Sequence, residues 1–277
     1  MGFRVASNVQ SIFAQNQARN LNTELTDSVE KLASGQRITR SAHDPSGLAI
    51  SEKMKSHIRS GRQAIRNSND GVSFVQVAEG NLTEMGNFAA RLRELAIQAA
   101  TDTMGDEQRR LVDMEFQGLK TEIKRMTQDA RWNDTRFFDG ENQKIDFQIG
   151  IHGDPNASRF TLDKRNLNLT LEGTGIAGSN VLSNIDARNS IDSMTKFIEK
   201  VNDKRTTLGA YQNRLQTAIS VLETGDINNS ASNSRIRDLD MASGSSDNVA
   251  MKIREQATTA VMAQASNQYQ GVLKLVG

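Results

Sequence analysis

The stretch MKIREQATTAVMA at residues 251–263 has an unusual distribution of apolar residues for a helix. Its apolar residues occupy several faces of a helix instead of one stripe, which is typical of a helix surrounded by protein. These residues are Met251, Ile253, Ala257, Ala260, Val261, Met262 and Ala263. We therefore expect this helix to need more than one neighbour to cover it.

The amino end of the chain has the same character. A helix predicted from about Ser7 to Ala33 is apolar nearly all the way round, and its narrow polar strip is mostly uncharged. Ordering a residue costs about 1 to 2 kcal/mol, so both ends should stay loose until other copies of the chain bury them. The predicted polymerisation residues are Val9, Ile12, Phe13, Leu21, Leu25, Leu32, Ile253, Ala260, Val261 and Leu273.

The composition argues against several classes of protein. There are 34 Lys and Arg residues against 33 Asp and Glu, with both signs interspersed, so no basic surface for nucleic acid is expected. The absence of cysteine excludes disulfides and thiolate metal sites. No apolar run reaches the roughly 20 residues of a membrane span, and the start lacks the pattern of a cleavable signal peptide, so neither is expected.

Catalytic chemistry has no recognisable basis in this sequence. His43, His57 and His152 are far apart and lie near no nucleophile or metal-ligand set at a known spacing. Neither common glycine-rich phosphate loop occurs. We expect no catalytic residues, no metal and no cofactor.

Long helices should form most of the chain, because its prolines, Pro45 and Pro155, both lie among turn residues. Asp44 is expected to cap a helix that starts at Pro45 and runs to about Thr101, and another should begin at Asp106. A continuous helix of that first length spans roughly 80 Å at about 1.5 Å per residue, which predicts an elongated rod of long antiparallel helices.

A small β insert is predicted at about 138–183. Apolar residues alternate with polar ones at 145–151 and at 167–171, and 160–162 is expected to form a short strand, with a turn at 152–156. These segments predict a small antiparallel sheet or a pair of hairpins. A heptad seam from Ala187 to Leu222 follows, Thr224-Gly225-Asp226 is a candidate interruption, and a last helix is expected from about Asp247 to Gln270.

Eight ordered segments resemble bacterial flagellin over essentially the whole chain. They are LASGQRI (32–38), SAHDPSGLAI (41–50), DGVSFVQVAEGNL (70–82), RLRELAIQAA (91–100), NDTRFFDG (133–140), LGAYQNRL (208–215), SRIRDLDMA (234–242) and REQATTAVMAQASNQYQGVLKLV (254–276). The resemblance implies a short form of the family that lacks the variable outer domains.

The resemblance also implies an organisation and a function. Residues 1–44 and 237–277 would be the two halves of a filament-core domain whose helices form a coiled coil, and residues 45–236 would form the rod domain. The chain would polymerise with itself into the flagellar filament for swimming, after export without a cleavable signal. Implied partners are the hook–filament junction and cap proteins and an export chaperone at the carboxyl end.

One further contact is implied by the family likeness alone. The segment RLRELAIQ at 91–98, with Glu115 on the next helix, resembles the flagellin surface recognised by Toll-like receptor 5, and the roles would fall on Arg91, Leu95 and Glu115. Two other functions stay open at this point: a hook–filament junction protein with related ends, and a soluble helical adaptor or signalling module.

Overall fold

The computed structural model describes residues 8–138, 144–170 and 175–276, without the side chains of residues 156 and 268–276. Its α-helices are α1 (Val9–Ser34), α2 (Pro45–Ala99), α3 (Asp106–Asp129), the single turn α4 (Pro155–Ser158), α5 (Asn184–Arg237) and α6 (Met241–Val276). The chain divides into a first unit of residues 1–58 and 227–277 and a second unit of residues 59–226. The predicted mainly α fold class is confirmed.

The starts of the first helices follow local capping chemistry. The Asn8 side chain accepts a hydrogen bond from the Ser11 amide at 3.0 Å at the start of α1. Asp44 accepts one from the Gly47 amide at 2.8 Å, and Pro45 is the first residue of α2, as predicted. Helix α3 begins at Asp106, also as predicted.

Helix α5 continues through Thr224-Gly225-Asp226, so the candidate interruption, which the sequence left open, does not occur. A glycine inside a helix costs at most about 1 kcal/mol, which neighbouring interactions offset. The Thr224 hydroxyl donates to the carbonyl oxygen of Ser220 at 2.9 Å, and Asp226 accepts from Arg62 Nε on α2 at 3.1 Å. Helix α6 likewise begins at Met241 instead of about Asp247.

The core of the second unit is formed by α2, α3 and α5. Seven α2 positions spaced by steps of four and three are fully buried: Ala78, Leu82, Met85, Ala89, Leu92, Ala96 and Ala99. Phe116 and Ile123 of α3 and Met194, Phe197, Val201 and Leu208 of α5 pack into the same cluster. The predicted heptad seams are therefore confirmed as the helical core.

Two short antiparallel strand pairs occur among the described residues, one within the predicted β insert and one just before it. Strands β3 (Lys144–Gln148) and β4 (Arg159–Asp163) pair so that Phe147 lies opposite Phe160, which confirms two of the predicted strands. A second hairpin, β1 (Arg131–Trp132) with β2 (Thr135–Arg136), was not predicted, and its turn places Asn133 at φ 55°.

The strand predicted at 167–171 is wrong over the described residues. Lys164–Leu167 form a 3₁₀ helix, residues 168–170 pair with no strand, and residues 171–174 lie outside the described part. The Asp163 side chain accepts from the Arg165 amide at 3.0 Å and so starts a turn. Leu167 and Leu169 are still buried, so the alternation reflected burial in the core and not strand pairing.

Candidate assembly surface

Helices α1 and α6 of the first unit pack against each other in antiparallel orientation. Near one end of the pair, Asn8 Nδ2 lies 3.4 Å from the carbonyl oxygen of Ala265. Further along, Asn248 Nδ2 donates to Ser28 Oγ at 3.2 Å. The two ends of the chain, which are more than two hundred residues apart in sequence, therefore form one helical hairpin in space.

The side chains that face each other in this hairpin recur with a seven-residue repeat on both helices. The less exposed positions step by three and four residues: Ser11, Ala14, Ala18, Leu21, Leu25, Ser28 and Leu32 on α1, and Gly244, Asn248, Met251, Glu255, Thr258, Met262 and Ala265 on α6. We call these fourteen positions the seam. Sequence reasoning missed the α6 half, because Asn248, Glu255 and Thr258 hide its period from any hydrophobic pattern.

A junction of hydrogen bonds closes the hairpin at its other end. The Leu239 amide donates to the carbonyl oxygen of Gly35 at 2.9 Å, and the Arg37 amide donates to that of Arg237 at 2.7 Å. Gly35 has φ 66°, a conformation that favours glycine. The Arg237 guanidinium, whose side chain is mostly buried, pairs with Glu52 of α2. Local sequence does not predict this junction, because the two backbone segments that form it are about two hundred residues apart.

Most of the predicted polymerisation residues lie outside the seam, on the surface of the single chain. Phe13 is 72% exposed and Ile253 is 61% exposed. Val9, Ile12, Ala260 and Val261 are exposed as well, whereas Leu21 is buried and Leu25 and Leu32 are half-buried in the seam. The side chain of Leu273 lies outside the described residues.

The exposed apolar residues of the two helices meet along a groove. It has a volume of about 580 Å³ and is lined by Val9, Gln10, Phe13, Ala14, Gln17, Ala257, Thr258, Val261 and Ala265. Helices α1 and α6 both contribute, so the apolar surface remains after the two have already paired. Exposed apolar patches of this kind mark sites of protein association.

The residues expected at the receptor surface lie on α2 and α3 of the second unit. Arg91 Nη2 lies 2.9 Å from Glu115 Oε1, and Nη1 lies 3.1 Å from Glu94 Oε2. These hydrogen bonds raise the pKa of Arg91 above its ordinary value, and the one to Glu115 has the larger effect. Leu95 is 2% exposed and belongs to the core, so it presents no surface for a partner in this structure.

The described residues contain no group of three His, Asp or Glu side chains that could hold a metal ion. His43 lies 3.6 Å from Asp27 through its Nε2 atom, within the first unit and away from the other histidines in sequence. In the same part of the chain, no helix has the length and apolar content needed to cross a lipid bilayer.

Comparison with known proteins identifies the family. The profile of the bacterial flagellin N-terminal helical region matches residues 5–143, and that of the bacterial flagellin C-terminal helical region matches residues 191–276. The chain belongs to the bacterial flagellin family. A flagellin of Halalkalibacterium halodurans is 36% identical to it over 95% of this chain and 97% of the relative. The flagellar filament core protein flaB2 of Brachyspira hyodysenteriae is 37% identical over 98% and 99%.

A solved structure supports the fold. The crystal structure of Bacillus cereus flagellin aligns with a TM-score of 0.50 at 27% identity, covering 56% of this chain and 88% of that one. Flagellins are a structural protein family, and this chain is a structural subunit that polymerises with itself into the flagellar filament. Family membership decides for the filament subunit over the two alternatives left open by the sequence.

Proposed function

We propose that the filament is built through α1 and α6, whose exposed apolar side chains pack on other copies of the chain. The observation that carries this proposal is the apolar groove between them, because Phe13 and Val261 line it although their two helices are already paired. The assembling segments in this proposal are residues 1–44 and 237–277, and residues 45–236 form the other domain of the subunit.

The energetics favour this division of roles. Burying a Val, Leu, Ile or Phe side chain stabilises an assembly by about 1.5 to 3 kcal/mol relative to leaving it exposed. Val9, Ile12, Phe13, Ile253 and Val261 are all more than half exposed in the single chain. Their burial by neighbouring copies therefore contributes to offsetting the cost of ordering the two ends.

Two matched substitutions test the proposal. Val261 of α6 and Val221 of α5 are similarly exposed, at 60% and 66%, but belong to different units. We expect Val261→Ser to raise the concentration needed for polymerisation about tenfold, since a loss of ~1.4 kcal/mol per subunit corresponds to that factor. Val221→Ser should change it much less. Light scattering or sedimentation of filaments measures both.

Equal behaviour of the two serine variants would refute the assignment of assembly to the ends. A larger change tests the same assignment. A chain without residues 1–44 and 237–277 should not polymerise at the wild-type concentration, and filaments formed by it would be a second refutation.

The remaining features of the function rest on likeness to the family. The subunit is exported without a cleavable signal, has no catalytic activity, and contacts the hook–filament junction and cap proteins at the ends of the filament. An export chaperone binds its carboxyl end. Pull-down of these proteins from the same cell, with and without residues 237–277, tests the last contact, which should require that segment.

Recognition by Toll-like receptor 5 is a separate part of the proposal. Arg91 and Glu115 form an exposed ion pair between α2 and α3, and Leu95, four residues after Arg91 on α2, is buried in the core. We expect Arg91→Ala to weaken the response of receptor-bearing cells to depolymerised protein, and Arg110→Ala, which removes another exposed α3 ion pair, to leave it intact. A wild-type protein that elicits no response would refute recognition.

A further inference from the structure

Ser28 and Asn248 are buried polar side chains within an otherwise small or apolar part of the seam. They are 9% and 6% exposed, and Asn248 Nδ2 donates to Ser28 Oγ at 3.2 Å. A buried polar group is costly unless it has a hydrogen-bond partner. The pair is therefore satisfied in the observed register because the two residues lie at the same level of the hairpin.

Several other seam positions say little about register. Ala14, Ala18, Thr258, Met262 and Ala265 are small or flexible side chains that pack acceptably at several levels. Because both helices repeat with a period of seven, a slip of one heptad preserves seam-to-seam packing. Within the seam, shape alone therefore does not exclude a slipped hairpin, so the register must come from polar contacts: the junction at Gly35 and the Ser28–Asn248 pair.

The slip is unfavourable for the polar pair. Moving α6 by one heptad along α1 places Asn248 opposite Leu21 and Ser28 opposite Met241, since each of these lies seven residues from the present partner. The Leu21 side chain has no hydrogen-bonding group, and the Met241 side chain has only a weak thioether acceptor. The amide of Asn248 would then be buried against hydrocarbon.

We propose that the Ser28–Asn248 pair acts together with the junction at Gly35 to set the register of α1 against α6, by making the slipped hairpin unfavourable. Single buried asparagines specify register in coiled coils by the same physics. The consequence for the filament rests on the function proposed above. Phe13 and Val261 line one groove only in this register, so every copy presents the same apolar surface to its neighbours.

The chain contains no cysteine, which allows engineered thiols to report the register directly. Asn8→Cys with Ala265→Cys joins residues that are neighbours in the observed hairpin. Asn8→Cys with Thr258→Cys joins residues that become neighbours after a slip of one heptad. In a glutathione buffer below the polymerisation concentration, the equilibrium constant of each intramolecular disulfide measures the effective concentration of the two thiols.

The ratio of the two equilibrium constants is the readout. In the otherwise unchanged chain the 8–265 disulfide should be favoured at least about tenfold over the 8–258 disulfide. Asn248→Leu should lower that ratio about tenfold, because the slipped register no longer buries an amide without a partner. The control Gln256→Leu, an exposed glutamine on the same helix, should leave the ratio unchanged. The exchange Ser28→Asn with Asn248→Ser should restore it.

Two results would overturn the proposal: a ratio near one in the otherwise unchanged chain, or a ratio that Asn248→Leu does not change. A role in stability alone would alter both disulfides equally and leave the ratio constant, so it is distinguished from a role in register. Because the ratio is measured on the soluble chain, it does not depend on polymerisation. Failure of the Val261→Ser test would refute the assembly surface and leave this measurement intact.

Discussion

The guanidinium group of Arg109 donates a hydrogen bond to the carbonyl oxygen of Ala99 at 3.0 Å. It also donates to the carbonyl oxygen of Thr101 at 2.9 Å, while Asn184 Nδ2 donates to that of Ala100 at 2.7 Å. The last carbonyl groups of a helix have no partner within it, so these side chains complete the end of α2. Arg109 is 8% exposed, so these hydrogen bonds form in a largely buried site.

Arg109→Leu should destabilise the second unit by about 1 to 3 kcal/mol, because it removes the side-chain donor to the carbonyl oxygen of the buried Ala99. Arg110 provides a matched control, since its exposed side chain forms an ion pair with Glu107. Arg110→Leu should cost less than about 1 kcal/mol. Urea unfolding below the polymerisation concentration measures both, and equal losses would show that Arg109 does not act as a cap.

Substitution by alanine should have different effects at Gly71 and Gly80, although both lie in α2. A Cβ atom at Gly71 would lie 3.3 Å from Leu215 Cδ1 and 3.4 Å from Phe147 Cδ1, whereas one at Gly80 meets nothing within 4 Å. Gly80→Ala should therefore stabilise α2 by up to about 1 kcal/mol. Gly71→Ala should not stabilise α2 in this way, because the new Cβ atom would force Leu215 and β3 to shift. Thermal unfolding compares the two, and an equal gain at Gly71 would contradict the close approach.

Asp163 is expected to titrate well below an ordinary aspartate. The side-chain hydrogen bond from Arg165 and the hydrogen bond from the Arg165 amide lower its pKa from 3.8 to about 2. A depressed pKa means that the charged form stabilises the fold above pH 4, and that this contribution is lost as the pH falls toward 2. NMR titration of the carboxyl carbon measures the pKa. Arg165→Gln should return it toward 3.8, and no change on that substitution would contradict the assignment.

The two ends should be less protected than the core until the chain assembles. In dilute solution, we expect amides of α1 and α6 to exchange with deuterium faster than those of α2 and α5, because their apolar surfaces lack neighbours. Polymerisation should slow exchange in α1 and α6 by at least about tenfold. Mass spectrometry of peptides from both states measures this. Ends already protected in the single chain would contradict the expectation.

Much of the helical fold could be predicted from residue spacing. The period of Ala78, Leu82 and Met85 predicts one buried face, and all three are fully buried. Capping by Asp44 and the start at Pro45 follow from chemistry confined to four residues. Such features depend on the backbone geometry of one helix, so local sequence is enough to predict them.

The strand predicted at 167–171 is wrong because alternating buried residues give the same sequence pattern whether or not they pair in a sheet. Leu167 and Leu169 alternate with polar residues and are buried, but the hydrogen bond from the Arg165 amide to Asp163 directs the backbone into a 3₁₀ turn. Thr224-Gly225-Asp226 resembles a helix break, but α5 continues through it, and Asp226 there contacts Arg62 of α2. The first feature depends on a hydrogen bond between residues two apart, and the second includes a contact between two helices; the spacing of apolar residues reveals neither.

The long helices, the buried stripes of the second unit and the excess of apolar residues at both ends each depend on side-chain spacing along one helix, so they follow from the sequence directly. The pairing of the two ends, and the level at which they pair, depends on contacts that form in the folded chain. The Ser28–Asn248 contact and the junction at Gly35 join residues about two hundred positions apart. A one-dimensional pattern carries no record of such distances, since the pairing depends on where polar groups meet in space.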